Sequence, residues 1–547
     1  MAPGGRFTNG STRGRNHMNL PRQKKFGLAH AIVWVGLLLA APAFAGELST
    51  SEARGKQIYL YGTSPSGAEI TAHVGANAVT VPAGATPCGN CHGADGTGRP
   101  ESGVIPSDIR WSRLTKPYGA VAAGGRRRHP AYDEEALKRA VLGGVDPADN
   151  PLDSAMPRFQ MSTADLDDLV AYLKRLESDL DAGLGEDAIV LGTVLPQPRG
   201  PESIGRVMTT VLQAYFDDLN GRGGVHGRRL ELAVEHADSP DDALAQARRL
   251  VEKHRVFALV GAFTAGADGE FAELAETHTV PLVGPFTQSG PLDIGTRQFT
   301  FYLLSGAEIQ GRALVEFAIS RLPDPSIGAA LVHPARPDTQ AVARAMAKQS
   351  EDRGWGSLRV VAYPAGDMDP GALAGELKDS GVQIVFFLGS GAEFRMLATT
   401  ADRIGWRPFM FLQGHLAGRA AVTAPASFQG HIYVAFPTSP QDQSPEGRRE
   451  FGEFARRHGL PRRHLAAQIT TYTAAKLLVE GLSQAGRDLS REKLLQALEG
   501  LYGYTTGLTP PLTYGPNRRV GALGAHIVAV DVENRRFASG STWVQPD

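Results

Sequence analysis

The chain is 547 residues long, with 56 lysines and arginines against 57 aspartates and glutamates, and 42% of it is hydrophobic. That length calls for more than one domain, each with its own core, and a net charge of −1 gives no bulk electrostatic basis for binding nucleic acid. Only two cysteines are present, so packing rather than a disulfide framework must hold the fold.

Residues 1–45 have the pattern of an export signal. Arg22, Lys24 and Lys25 precede an apolar stretch from Ala31 to Ala41, and Ala43-Phe44-Ala45 is a small-x-small site. This predicts cleavage after Ala45 and a mature protein in the periplasm. The apolar stretch is short for a bilayer span, and an uncleaved anchor is the alternative. A start at Met18 instead of Met1 would give a leader of more usual length.

Ser49-Thr50-Ser51-Glu52 sets a hydroxyl cap three residues before a glutamate and predicts a helix to about Tyr61. A Gly-, Pro- and Thr-rich loop from Gly62 to Pro87 then leads to Cys88-Gly89-Asn90-Cys91-His92. Two thiols three apart, followed at once by histidine, are the pattern that tethers a haem through its vinyl groups and sets the histidine beneath the iron. A thioredoxin-type redox pair needs no histidine and expects a strand–helix context. A zinc site needs more ligands than this motif supplies. The glycines of the Gly93–Gly98 turn suit backbone passing close to a flat ring.

The sixth position of the iron falls to Met156, followed by Pro157 and lying just ahead of a helix. Ser162 or Thr163 caps that helix, and Leu166, Leu169, Val170, Leu173 and Leu176 repeat at helical spacing. A thioether favours ferrous iron and raises the reduction potential. Met161 stands just before the cap and reads as core. His129 or His73 would give a bis-histidine site, and an open position is the third alternative.

Residues 50–178 resemble a class I cytochrome c in the order of N-terminal helix, CxxCHG, Met-Pro loop and C-terminal helix. The resemblance implies a small all-α domain over residues 46–180 with one covalent haem c, on Cys88 and Cys91, with His92 and Met156 as axial ligands. The long 62–87 insertion departs from it. Arg126-Arg127-Arg128 reads either as a solvated loop or as a docking patch for an acidic redox partner.

Residues 181–186 form a polar linker, and the pattern changes beyond it. Apolar runs at 188–194, 230–236, 257–261, 280–283, 299–303, 327–332, 358–362, 382–388 and 431–436 alternate with helical stretches. One such helix carries Ala243, Leu244, Ala247, Leu250 and Val251. The alternation predicts parallel α/β sheets, and about 360 residues exceed one such sheet, so residues 187–547 are expected to form two lobes.

The turn Asn220–Gly227, the strand Val256–Gly261 and the strand Val280-Pro281-Leu282-Val283-Gly284-Pro285 follow one another in the order found in type I periplasmic binding proteins. The region resembles that family, above all its branched-chain amino-acid-binding group. The resemblance implies a ligand cleft between the lobes, outside the carboxyl ends of the strands. On that mapping Thr264-Ala265-Gly266 and Thr287-Gln288 meet the ligand, where a hydroxyl and helix N-terminal N–H groups would suit a carboxylate.

The second lobe departs from the family. The loop after Phe409–Leu412 reads Gln413-Gly414-His415-Leu416, where an acid normally meets the ligand's ammonium group. His415 joins the candidate contacts, with Glu308 or Glu393 as substitute acids and Phe263 and Phe286 as walls. The expected ligand is therefore a small carboxylate, alcohol or aromatic compound and not a common amino acid.

No H-E-x-x-H, G-x-S-x-G or phosphate-loop motif stands in a suitable context, so the protein is expected not to be an enzyme. The sequence predicts a periplasmic electron carrier fused to a ligand-binding module that senses or gates. Its expected partners are a small organic ligand and periplasmic redox proteins, a dehydrogenase and another cytochrome. Alternatives are a solute-binding component working with an ABC permease, and a haem enzyme that uses both modules.

Overall fold

The N-terminal helix, Thr50–Tyr61, starts where a capping box closes on itself: the Ser49 hydroxyl accepts from the Glu52 N–H, and the Glu52 carboxylate accepts from the Ser49 N–H at 2.7 Å. Gly62, in the left-handed region at φ 64°, ends it. The C-terminal helix of the same domain, Thr163–Arg175, is capped by Ser162. These are features of a computed structural model that describes residues 48–546 apart from 99–102, 118–127, 201, 265, 288–296, 323, 325–326 and 356–357. The export signal with its cleavage site, Arg126, Arg127, Ala265 and Gln288 therefore lie outside the described residues.

The two helices cross at Gly55, where a Cβ would stand 2.0 Å from the Asp168 carbonyl oxygen. Only a missing side chain lets the backbones meet so closely. The crossing is then tied by Asp168, 6% exposed, which accepts from Arg54 Nε at 2.6 Å and Nη2 at 2.9 Å and from the Ser51 hydroxyl at 2.5 Å. Tyr59 is fully buried beside Tyr172, ring centroids 5.6 Å apart, and donates to the Gly93 carbonyl at 2.6 Å. That bond joins the helix crossing to the end of the cysteine motif.

The 62–87 stretch is not a plain loop. Thr71–Val74 and Val79–Pro82 form an antiparallel hairpin, and the first strand also pairs antiparallel with Arg158–Gln160. Ala72 faces Phe159 across that second pairing, and both are buried. The helical domain thus carries a small three-stranded sheet that holds the segment directly after Met156.

Among the described residues the remainder forms two sheets. In the first lobe six parallel strands run in the order Val520–Ala522, Thr300–Leu304, Leu282–Val283, Ala258–Val260, Ala188–Pro196, Arg229–Ala237. Helices Ile204–Asn220 and Leu465–Ala485 cover one face, and Pro240–Glu252 with Asp268–Thr277 cover the other. In the second lobe five parallel strands, Arg359–Tyr363, Gly328–Pro334, Val382–Phe387, Phe409–Gln413 and Ile432–Phe436, are followed by two antiparallel ones, Ala525–Asp531 and Arg536–Val544. The chain passes between the lobes three times, at 304–307, after Phe436 and at 522–525.

Residues 181–186 do not swing free. Leu184 is 2% exposed in the core of the first lobe, and the Asp181 carboxylate accepts from the Arg491 N–H at 2.5 Å.

The Arg54 hydrogen bonds hold the Asp168 carboxyl below the usual range. A carboxylate with a lowered folded pKa stabilises fully above its unfolded value and loses that contribution as pH falls. Replacing Asp168 by Asn should cost about 1–2 kcal/mol at pH 7, a modest sum because half-exposed Arg54 is screened by water. Denaturant titrations should show the gap between variant and wild type closing below about pH 4.

Candidate functional site

The cysteine motif forms one short helix, Cys88–His92, which begins after Pro87 and stops at Gly93. Residues three apart on a helix share a face, so both sulfurs point to one side. Both thiols are free, Cys88 half-buried and Cys91 exposed. Burial pushes the Cys88 thiol up to about 12, opposite to the lowered value of a thioredoxin-type nucleophile. Among the described residues no group of three or more His, Cys, Asp or Glu side chains could hold a metal ion.

The His92 ring is fixed from one side. Its Nδ1 lies 2.9 Å from the Ser107 carbonyl, which can only accept, so Nδ1 carries the proton and Nε2 keeps its lone pair. Burial lowers the imidazole pKa and the Ser107 bond partly restores it, which favours the neutral, ligating form. Two cysteines on one face with an oriented imidazole beside them fit a covalently tethered haem.

The sixth-ligand candidates separate by packing. Met161 packs against the buried core of the domain, whereas Met156 is half-buried and stands outside that cluster. Met156 also ends the segment whose carbonyl oxygens are gathered by Arg158: its guanidinium binds the carbonyls of Met156 and, at 2.9 Å, Leu152. The two histidines are otherwise engaged. His73 pairs with the Thr80 hydroxyl at 3.0 Å across the hairpin, and His129 bonds the Pro130 carbonyl at 2.7 Å and meets Tyr132 edge-on.

The loop after the motif is anchored on the first lobe. Asp95 forms an ion pair with Lys493 at 2.6 Å, both side chains being about a quarter exposed. Burial raises the Asp95 carboxyl, but Lys493 and the Thr97 N–H outweigh it and hold it below the usual range. Lys493 belongs to the helix Arg491–Glu499. Arg491 at its start binds the Val256 carbonyl at 2.8 Å and the Phe257 carbonyl at 3.0 Å, immediately before the strand Ala258–Val260.

That strand leads to the cleft. Phe263 and Phe286 form a parallel bridge with stacked rings 5.7 Å apart. Thr264, 2% exposed, donates its hydroxyl to Asp268 at 2.6 Å. Thr287 hydrogen-bonds the same carboxyl, which burial raises above its ordinary range against the pull of both threonines. The hydroxyl expected to face a ligand is thus spent on a residue that sequence reading missed. Its position four residues on, at the start of the predicted helix, was the available signal. Gly266 turns the chain at φ 101° and is exposed.

On the second lobe Gln413 is fully buried and donates Nε2 to the Ala307 carbonyl at 2.6 Å. His415 stands exposed in the first turn of Gly414–Ala421. Of the two substitute acids, Glu393 is consumed by the capping box at Ser390, with 2.7 Å to the Ser390 N–H. Glu308 is half-buried, its carboxyl raised by burial, and its Oε2 has no partner among the described residues.

Residues 189–534 match the family profile described as periplasmic binding protein, and residues 83–177 match that of cytochrome c. Among curated relatives, the leucine-, isoleucine-, valine-, threonine- and alanine-binding protein of Pseudomonas aeruginosa is 25% identical over 288 residues, covering 52% of this chain and 74% of its own. A Leu/Ile/Val-binding protein homolog of Brucella abortus is 20% identical over 311 residues, covering 54% and 77%. Among solved structures, a leucine-binding protein from Thermotoga maritima gives a TM-score of 0.51 at 18% identity, over 66% of this chain and 99% of that one. A branched-chain amino-acid ABC transporter protein from Thermus thermophilus with bound valine gives 0.51 at 17%, over 66% and 97%. At such identities the structural likeness is one of fold.

The packing contrast between the methionines is testable by spectroscopy on the haem-loaded chain. Met156→Ala should abolish the weak far-red methionine–iron band of the ferric form and lower the reduction potential. Met161→Ala should leave the band intact and cost about 1–2 kcal/mol of stability.

Proposed function

Because this chain belongs to the periplasmic binding protein family over residues 189–534 and carries a cytochrome c domain over residues 83–177, we propose that it is a periplasmic electron-transfer protein gated by a small ligand. A cytochrome c domain implies haem c. In this reading a single haem is tethered by Cys88 and Cys91 and ligated by His92 and Met156, and when bound it supplies a one-electron ferric/ferrous couple. Its redox partners are a periplasmic dehydrogenase and another cytochrome.

The observation that carries the proposal is the Asp95–Lys493 ion pair. Asp95 lies three residues beyond His92, and Lys493 sits two residues from Arg491, which grips the residues just before the strand Ala258–Val260 that leads on to Thr264 and Asp268. One lobe therefore carries both the haem loop and half of the ligand cleft. If ligand binding changes the potential, linkage requires oxidation state to change ligand affinity by the same factor.

A second reading is favoured by the relatives, which are named for amino-acid binding or as ABC transporter proteins. There the two lobes deliver a solute to an ABC permease and the haem domain is accessory.

Potentiometric titration of the full haem-loaded chain separates the readings. Lys493→Met should lower the midpoint potential, because an uncompensated Asp95 carboxylate favours ferric iron. Lys476→Met, which removes an equal charge from an ion pair with Glu450 at 3.1 Å, should leave it unchanged. Equal potentials in wild type and Lys493→Met would speak for an accessory haem domain.

A further inference from the structure

The carboxyl ends of parallel strands and the N-terminus of a following helix are where an external anion would be received. In this cleft the chain places its own carboxylate there. Asp268 is the first residue of the helix Asp268–Thr277 and is 5% exposed. The Thr264 hydroxyl donates to it at 2.6 Å, and Thr287 bonds it from the neighbouring strand end. A hydroxyl has one proton to give. Once given to Asp268, it leaves Thr264 with only lone pairs to offer.

The carboxyl end of a second-lobe strand, where such sheets receive ligands, points the same way. Gln413, fully buried at the end of the strand Phe409–Gln413, spends Nε2 on Ala307 and leaves Oε1 without a partner among the described residues. Glu308, the residue after Ala307, leaves Oε2 equally unpartnered. On the first-lobe side of the same crossover the Tyr302 hydroxyl is buried and has no partner among the described residues. Gln413 Oε1 only accepts, as does the Glu308 carboxylate when ionised, and buried acceptors are satisfied by donors.

We propose that Asp268 closes the first-lobe subsite to carboxylates, and that the cleft takes a small carboxylate-free molecule presenting hydrogen-bond donors, a hydroxyl or an amino group. This rests on the ligand-binding reading above and narrows it. Of the three ligand classes the sequence left open, it removes the acids. A carboxylate entering this subsite would meet a like charge and find the threonine protons already taken.

Matched sets of alcohol, amine and acid on one carbon skeleton test it, from ethanol, ethylamine and acetate to benzyl alcohol, benzylamine and benzoate. Thermal shift and calorimetry on the haem-loaded full chain should show an alcohol or amine binding, with its matched acid at least about tenfold weaker. Asp268→Asn should raise the affinity for that acid by about tenfold or more. Asp268→Ser serves where the Asn variant does not fold.

An acid binding the wild type as tightly as its alcohol overturns the inference while leaving the receptor reading intact. So does an Asp268 variant with unchanged affinity for the acid. Silence from every alcohol, amine and acid overturns both.

Discussion

The guanidinium of Arg491 is the point on which the two halves of this protein are joined. It reaches the backbone carbonyls of Val256 and Phe257 and, at 3.4 Å, that of Ala182, while the backbone N–H of the same residue binds Asp181 in the segment arriving from the haem domain. Burial lowers the pKa of this side chain, the expected sign for a cation taken out of water. The hydrogen bonds it makes to carbonyl oxygens offset that cost, because removing them would leave a buried charge without partners. With Lys493 and Leu184 it turns a short polar stretch into a fixed seat for the haem domain on the first lobe.

That seat gives the two lobes different roles. The second lobe is reached through three crossovers. Two of them are tied together by the Ser305 hydroxyl, which donates to the Gly524 carbonyl at 2.6 Å. The Asp442 carboxylate, just past the second crossover, meets His526, just past the third, at 2.7 Å, and His526 also meets the Ser541 hydroxyl at 2.8 Å. Gly524 has no room for a side chain, since a Cβ would lie 2.6 Å from the Trp543 ring. In the proposed gating, closure would move the second lobe against a first lobe that already holds the haem loop, and one strand and one helix connect Thr264 and Asp268 to that loop. Such a path is coupling by position, and its strength is a matter of measured free energy.

The proposed subsite would let a shared fold house a different recognition chemistry. The fold is shared with a protein named for leucine binding. Asp268 changes what that geometry offers, because a helix N-terminus already facing a carboxylate no longer attracts another. Fold likeness and ligand class are separate questions here, answered by different residues.

Local sequence determined the elements and the haem motif. Capping at Ser49 and Ser162, the period of Leu166 to Leu173 and the apolar runs of the first-lobe strands act over a few residues, and each element formed within a residue or two of its expected ends. The CxxCH spacing is likewise local, set by one turn of helix. What lay out of reach depended on partners far along the chain. The hairpin at 71–82 gains a third strand because Ala72 finds Phe159, and the linker is fixed because Asp181 finds Arg491. Sequence could nominate Thr264, but only tertiary packing could show that its proton goes to Asp268, since a hydrogen bond depends on which acceptor the fold brings within reach.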